Sequence, residues 1–252
     1  MALITGATGG IGGELARTFA SAGARLVLTG RHEGRLERIA SEVGAQTSVT
    51  AVVADLARPG DVHRLVERAL AAFGRIDVLV NNAGGEGPTV GIEGLKPAMW
   101  HEVIDSNLTS AYLCCHAVAP HMMRQRHGRI VNLSSVSGKR PLAYRAGYCA
   151  AKMGVIGLTR ALAEELGPYG ITVNAICPGA VEGERVDHVV KELARVRGVS
   201  PEDAARSFTA GSPLGRFVRP ASIAAVALFL AGPGGDDITG EDVNVSAGLV
   251  MY

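Results

Sequence analysis

The segment ALITGATGGIGGELA, residues 2–16, decides the fold. Its apolar start, residues 2–4, predicts a short strand, and the stretch from Gly13 to Ala20 predicts a helix, so a glycine-rich turn joins the two. Glycines in such a turn let the backbone approach a pyrophosphate closely, and the start of the following helix stabilises the negative charge. The order strand, glycine loop, helix therefore predicts an α/β fold that binds a dinucleotide; the alternative is a purely structural turn.

Length and composition favour one α/β domain. Strand-like and helix-like segments alternate along all 252 residues without a linker, and 47% of the residues are hydrophobic. The formal net charge of +1 gives no electrostatic reason to expect nucleic acid or an anionic membrane as a partner. The longest apolar run, around residues 221–231, is shorter than the roughly 18–20 residues that cross a bilayer, and no leader precedes the first strand, so we expect a cytoplasmic protein. We expect no metal site, because the four cysteines lack the spacing of metal ligands: Cys114, Cys115, Cys149 and Cys177.

Tyr148 and Lys152 are four residues apart in an alanine-rich segment that favours a helix. This spacing places both side chains on one helix face, with the ammonium close to the phenol. A phenol that transfers protons near neutral pH needs a pKa well below its ordinary ~10, and a neighbouring cation favours the phenolate. Ser135 follows the strand-like run 129–133, and open parallel sheets hold their chemistry at strand ends. The pair alone is a weak signal, but with Ser135 it predicts a proton-transferring site that holds a substrate carbonyl.

Further motifs accompany these three residues: the glycine loop 5–12, the run Asn81-Asn82-Ala83-Gly84, Asn107, and the dipeptide Pro178-Gly179. In their order and spacing, these motifs resemble the short-chain dehydrogenase/reductase (SDR) family from end to end. The resemblance implies a Rossmann-like, doubly wound, seven-stranded parallel sheet flanked by helices, as a single domain over residues 1–252. It also implies an oxidoreductase that transfers a hydride between NADP(H) and a carbonyl or secondary alcohol substrate.

The resemblance also implies roles for individual residues. A catalytic tetrad would consist of Asn107, Ser135, Tyr148 and Lys152. Tyr148 would act as acid in reduction and as base in oxidation, Lys152 would hold the cofactor ribose and lower the pKa of the phenol, and Asn107 would complete a proton relay through a water on its backbone carbonyl. The cofactor-binding residues implied in this way are Gly6, Thr8, Gly10, Ile11, Gly12, Arg31, Asp55, Leu56, Asn81, Ala83, Gly84, Tyr148, Lys152, Pro178, Gly179 and Val181. For Asp55, the cap of a following helix is an alternative role.

Cofactor choice is expected at the end of the second predicted strand, residues 24–29. NAD-using relatives usually carry an acid at the position of Gly30, which here has no side chain. Arg31 instead offers several donors to a 2′-phosphate, in a charge-assisted bond of about 1.5–3 kcal/mol. The sequence therefore favours NADP(H) over NAD(H).

Residues 183–211 are predicted to form a substrate-binding lid. The segment has an amphipathic pattern, a break at Gly198, and a cap-like Ser200 that opens a second helix. Relatives carry a threonine at the position of Gly183, so a side-chain contact is missing here. The alternative is a static helical pair that packs on a neighbouring subunit.

Arg145, three residues before Tyr148, is a candidate for substrate binding together with Ser135 and Tyr148. A buried guanidinium at this position would bind a carboxylate or phosphate of the substrate, whereas a surface arginine is the alternative.

The resemblance implies a homotetramer, in which the helices of Asn107 and Tyr148 pair across a two-fold axis. Apolar residues on the second helix give weak support: Ala161, Leu162 and Leu166. Two other functions are alternatives to hydride transfer at a carbonyl. The first is a catalytically silent NAD(P)-binding regulator, and the second is dehydratase or epimerase chemistry with the same nucleotide.

Overall fold

The computed structural model describes residues 1–252, the whole chain. Seven strands form one sheet: β1 (Ala2–Thr5), β2 (Leu26–Gly30), β3 (Val49–Val53), β4 (Val78–Asn81), β5 (Gly128–Leu133), β6 (Ile171–Pro178) and β7 (Asp242–Val245). Ten α-helices surround it: α1 (Gly10–Ser21), α2 (Glu33–Gly44), α3 (Pro59–Phe73), α4 (Pro97–Ile104), α5 (Ser110–Gln125), α6 (Val136–Lys139), α7 (Ala146–Leu166), α8 (Glu184–Arg197), α9 (Pro201–Thr209) and α10 (Pro220–Ala231).

The sheet is entirely parallel, in the order β3-β2-β1-β4-β5-β6-β7. This confirms the predicted doubly wound, seven-stranded fold in a single domain. The strand order reverses between β1 and β4, and such a reversal opens a crevice at the carboxyl ends of the strands. The glycine loop after β1 and the segment after β4 border this crevice, so the topology brings the predicted site residues to one edge of the sheet.

The core lies in two layers, one on each face of the sheet. Because side chains alternate along a strand, Ile4 of β1 packs with α1, α2 and α10, while its neighbour Leu3 packs with α3, α5 and α7. Both faces of the sheet are covered, which explains why the central strands are continuous apolar runs. No helix combines the length and the apolar character needed to cross a membrane.

The glycine loop is as tight as its sequence suggests. A Cβ atom at Gly12 would overlap the carbonyl oxygen of Gly6, so no larger residue fits there. Gly6 itself has a φ of +64° and lies against the backbone of Ala83, where its Cβ would come within 2.8 Å of the Cα atom. Helix α1 begins at Gly10, three residues earlier than predicted, so its first turn is part of the loop.

Residues 183–211 form the two helices that the sequence predicts, α8 and α9. Gly198 ends α8 in the left-handed conformation, and the hydroxyl of Ser200 caps α9 by accepting a hydrogen bond from the Asp203 amide. The pair has a small core of its own, formed by Val186, Val190, Ala194 and Ala204. Gly183 has a φ of +129°, a value that side-chain-bearing residues rarely adopt, which accounts for a glycine at this position.

Two interpretations of single residues are wrong. Asp55 does not cap a helix, because α3 begins at Pro59 with Arg58 as its N-cap; Asp55 instead accepts a hydrogen bond from the Ala57 amide. Leu166 does not lie on an outer helix face, because its side chain is buried in the core on the α3, α5 and α7 face of the sheet.

Candidate active site

Two serines follow the carboxyl end of β5, and their hydroxyls make different contacts. The hydroxyl of Ser134 donates to the carbonyl of Lys152 at 2.7 Å and so attaches α7 to the strand end. Ser135 begins α6 as its N-cap, and its Oγ accepts a hydrogen bond from the Ser137 amide at 3.1 Å. The Ser135 hydroxyl also lies close enough to the phenol of Tyr148 to help lower its pKa.

Lys152 is buried beside the same strand end. Its Nζ donates to the carbonyl of Leu133 at 2.8 Å and lies 5.7 Å from the centre of the Tyr148 ring. Burial lowers the pKa of Lys152, the nearby phenolate raises it, and the charge of Arg185 lowers it again, with a net downward direction. The ammonium therefore has a fixed position next to the phenol.

Tyr148 is half-buried on the first turn of α7. Burial alone would raise the pKa of its phenol, but the charges of Lys152 and Arg185, the Ser135 hydroxyl and the charge of Arg145 lower it, and the net pKa is below the ordinary value. The guanidinium carbons of Arg145 and Arg185 lie 5.0 Å and 6.0 Å from the ring centre. This electrostatic environment favours the phenolate, as the spacing of Tyr148 and Lys152 predicts.

Asn107 lies in a π-helical turn, Asp105–Thr109, that separates α4 from α5. Its buried amide donates to the carbonyl of Val103 at 2.9 Å, while its Oδ1 has no hydrogen-bond partner. A Cβ atom at Gly84 would lie 2.6 Å from that Oδ1 and 3.6 Å from the Nζ of Lys152. Gly84 therefore leaves open the space between Asn107 and Lys152, where the sequence predicts a proton relay.

Two residues that the sequence analysis did not assign to the site hold the glycine loop. Buried Thr5 donates its hydroxyl to the carbonyl of Val80 and accepts from the amides of Asn82 and Ala83 at 2.9 and 3.0 Å. The side-chain amide of Asn82 donates to the carbonyls of Thr5 and Gly6, both at 3.0 Å. The sequence motif Asn81–Gly84 indicates that this segment belongs to the site, but it does not show that the side chain of Asn82 faces β1.

The side chain of Asn81, a predicted cofactor-binding residue, is buried in the core. Its amide donates to the Oδ1 of Asn132 at 2.9 Å, and Asn132 donates in turn to the hydroxyl of Thr159 on α7 at 2.9 Å. This buried chain of polar groups connects β4, β5 and the helix of Tyr148. Leu56 is also in the core, whereas Gly84 is exposed.

Gly30, the last residue of β2, lies against the side chain of Thr8. A Cβ atom at Gly30 would lie 2.8 Å from the Cγ2 and 3.2 Å from the Oγ1 of Thr8, so a larger residue there would require the Thr8 side chain to move. Arg31 is exposed and takes part in no ion pair. The two positions thus present a free guanidinium and no carboxylate.

The segment after β6 completes the crevice. Pro178 is the last residue of the strand, and a Cβ atom at Gly179 would lie 3.0 Å from the Cα of Ser246. Val181 pairs with Val218 in an isolated bridge, after which Gly183 leads into α8. Three predicted cofactor residues, Pro178, Gly179 and Val181, therefore lie at the same sheet edge as Ser135. The cradle around Gly12, the free Arg31 and the α1 N-terminus all fit a dinucleotide phosphate.

Comparisons with known proteins agree with this geometry. A family model described as short chain dehydrogenase matches residues 1–194. The chain is 35% identical to a D-β-hydroxybutyrate dehydrogenase of Rhizobium meliloti over 98% of this chain and 97% of that one. An actinorhodin polyketide ketoreductase solved with NADPH has a TM-score of 0.95 at 37% identity, covering 100% of this chain and 97% of that chain. A xylitol dehydrogenase bound to NAD+ also has a TM-score of 0.95, at 30% identity, covering 98% of this chain and 97% of that chain.

Thr5→Val should destabilise the protein by about 1–3 kcal/mol, because a side chain of similar shape without the hydroxyl leaves the partly buried amides of Asn82 and Ala83 without an acceptor. Urea unfolding measures the difference. Thr5→Ser, which keeps the hydroxyl, is the matched control and should lose much less. Equal losses in the two variants would show that the hydroxyl does not hold the loop.

Proposed function

The chain belongs to the short-chain dehydrogenase family, and on that premise we propose that it transfers a hydride between NADP(H) and a carbonyl or secondary alcohol substrate, with Tyr148 as the proton donor and acceptor. The observation that carries this proposal is the position of the Tyr148 phenol, whose ring centre lies 5.7 Å from the Nζ of Lys152. The charge of Lys152 and the nearby hydroxyl of Ser135 favour a lowered pKa of this phenol. The names of the relatives, a hydroxybutyrate dehydrogenase and a polyketide ketoreductase, fit the same class of substrate. The nicotinamide cofactor supplies the hydride.

The residues of the chain supply position, charge and the proton. Ser135 is held by α6 at the strand end, where its hydroxyl can donate to the substrate oxygen while the phenol of Tyr148 approaches the same atom. In reduction Tyr148 gives its proton to the developing alkoxide, and the resulting phenolate is stabilised by the ammonium of Lys152. Asn107, beside Gly84, borders the space through which a water reaches Lys152 to return the proton.

We further propose that NADP(H) is preferred over NAD(H). Support comes from Gly30, which has no carboxylate to repel a 2′-phosphate, and from the unpaired guanidinium of Arg31. Solved structures of similar fold include one with NADPH and one with NAD+, so the fold itself accommodates either cofactor. The residues at the end of β2 decide between them.

A homotetramer is the proposed assembly. Large apolar side chains remain exposed on α5 and α7, namely Tyr112 at 48% and Met153 at 49%, on the two helices that the resemblance pairs across a two-fold axis. Tyr252, whose carbonyl accepts a hydrogen bond from Asn244 of the edge strand β7, is exposed at 78%. The four unpaired cysteines suit the reducing conditions of the cytoplasm, where we place the enzyme.

Tyr148→Phe should abolish turnover, because it removes the oxygen that transfers the proton while the ring stays packed between Arg145 and Lys152. Activity is followed as NADPH consumption at 340 nm with a panel of ketones, and cofactor affinity by fluorescence titration. Affinity for NADPH should stay within a few-fold of wild type. A variant that keeps a tenth of wild-type activity would contradict the role of the phenol, and wild-type protein that binds NADPH without turnover would instead indicate the silent regulator.

Arg31→Ala should lower NADPH affinity roughly 10- to 150-fold, the equivalent of one charge-assisted hydrogen bond of about 1.5–3 kcal/mol. NADH affinity serves as the internal control and should change little, because NADH has no 2′-phosphate. An equal loss for both cofactors would overturn the assignment of Arg31.

A further inference from the structure

Arg145 is a buried cation without a carboxylate partner. Its exposed fraction is 4%, its Nη2 donates to the backbone carbonyl of Glu86, and its Nε has no partner. Two other buried cations of this protein are paired with carboxylates, Arg129 with Asp236 at 2.7 Å and Lys139 with Asp242. Lys152 also lacks a carboxylate, but its Nζ donates to the carbonyl of Leu133. Because a buried charge without a counterion is strongly unfavourable, the unpaired state of Arg145 needs an explanation.

The backbone holds Arg145 in this position. Tyr144, the residue before it, adopts a φ of +69°, which is unfavourable for a bulky side chain, and its carbonyl accepts a hydrogen bond from the Val90 amide at 2.9 Å. The guanidinium carbon then lies 5.0 Å from the ring centre of Tyr148. A strained residue beside an unpaired buried charge is typical of a binding site rather than of a structural arginine.

A second free guanidinium, on α8, lies close to the same phenol. Arg185, in the first turn of α8, is exposed, takes part in no ion pair, and has its guanidinium carbon 6.0 Å from the Tyr148 ring centre. Three cations, Arg145, Lys152 and Arg185, therefore surround one phenol. Glu86 is the carboxylate whose charge acts on Arg145, and its Oε1 already pairs with His188 at 2.5 Å.

A cavity of about 620 Å3 lies between the loop that begins at Glu86 and α8, and neither Arg145 nor Arg185 is among the residues that line it. One wall is the loop from Glu86 to Val90, whose first residue accepts the hydrogen bond from Arg145. The opposite wall is the part of α8 that contains His188 and Glu192.

We propose that the substrate is a small ketone or secondary alcohol with an anionic oxygen group, a carboxylate, sulfonate or phosphate, close to the reacting carbon, and that Arg145 and Arg185 bind this group. This inference rests on the proposed function and specifies its substrate class. Guanidinium groups bind planar and tetrahedral oxyanions through two parallel hydrogen bonds, which also orients the carbonyl toward Ser135 and Tyr148. A substrate without the anion leaves both guanidiniums unpaired.

The test compares matched ketones with NADPH: acetoacetate, 2-oxopropanesulfonate and hydroxyacetone phosphate as anions, and pentane-2,4-dione as the neutral reference. The measured quantity is kcat/KM for each anion divided by kcat/KM for the neutral ketone. The ratio should exceed one for at least one anion, and the three arms show which oxyanion the site prefers. In Arg185→Gln this ratio should fall about tenfold or more, mainly through KM, and Arg185→Lys should restore part of it.

Two further variants control for charge and folding. Arg197→Gln removes one positive charge from the same helix at a position remote from Tyr148, and its ratio should equal that of wild type. Arg145→Met should lower the ratio as well, while its Tm stays at or above that of wild type, because an unpaired buried charge is removed.

The outcomes separate the two proposals. Turnover of the neutral ketone with a ratio that Arg185→Gln does not change would overturn the anion site alone. No turnover of any ketone by the wild-type protein would overturn the proposed function and this inference with it. A ratio that falls equally in Arg185→Gln and Arg197→Gln would reduce the effect to general electrostatic attraction and would also overturn the site.

Discussion

The attachment of α7 to the carboxyl end of β5 is the interaction on which the site depends. Two hydrogen bonds make it reciprocal: the Nζ of Lys152 donates to the carbonyl of Leu133, and the hydroxyl of Ser134 donates to the carbonyl of Lys152. Each group satisfies a buried polar atom of the other element, so a shift of the helix along the strand would leave both unpaired. The ammonium is thereby fixed beside Tyr148, one turn earlier on the same helix face.

A series of buried polar side chains also connects α7 to the sheet. Asn81 on β4, Asn132 on β5 and Thr159 on α7 form a continuous series of buried hydrogen bonds, two turns further along the helix than Lys152. These contacts fix the position of α7, which contains Lys152 and begins directly after Arg145. Neither of these two cations has a carboxylate partner. Charge fixed in this way favours a negative charge at the phenol, and by the same reasoning it favours an anionic group on whatever molecule binds next to it.

Local periodicity and chain order allowed much of this to be predicted. The alternation of apolar runs with glycine turns predicts the parallel sheet, and the four-residue spacing of Tyr148 and Lys152 places them together because both are on one helix. Contacts between segments that are distant in the sequence could not be predicted in this way. Thr8 fills the space beside Gly30 across 22 residues of sequence, and nothing local to either residue shows this. The burial of Arg145 likewise depends on the loop at Glu86, so the sequence left open whether it was a surface or a binding arginine.

Lys152, held against β5, lowers the pKa of Tyr148. NMR titration of protein labelled with 13C at the tyrosine Cζ measures this directly, since each of the five phenols gives its own resonance and Tyr148→Phe assigns the one in question. A positive charge stabilises the phenolate, so in wild type the Tyr148 resonance should titrate below the ~10 of an ordinary phenol, and in Lys152→Met it should move to higher pH. A Tyr148 resonance that titrates no lower than an ordinary phenol in wild type, or that does not move in Lys152→Met, would contradict this role of Lys152.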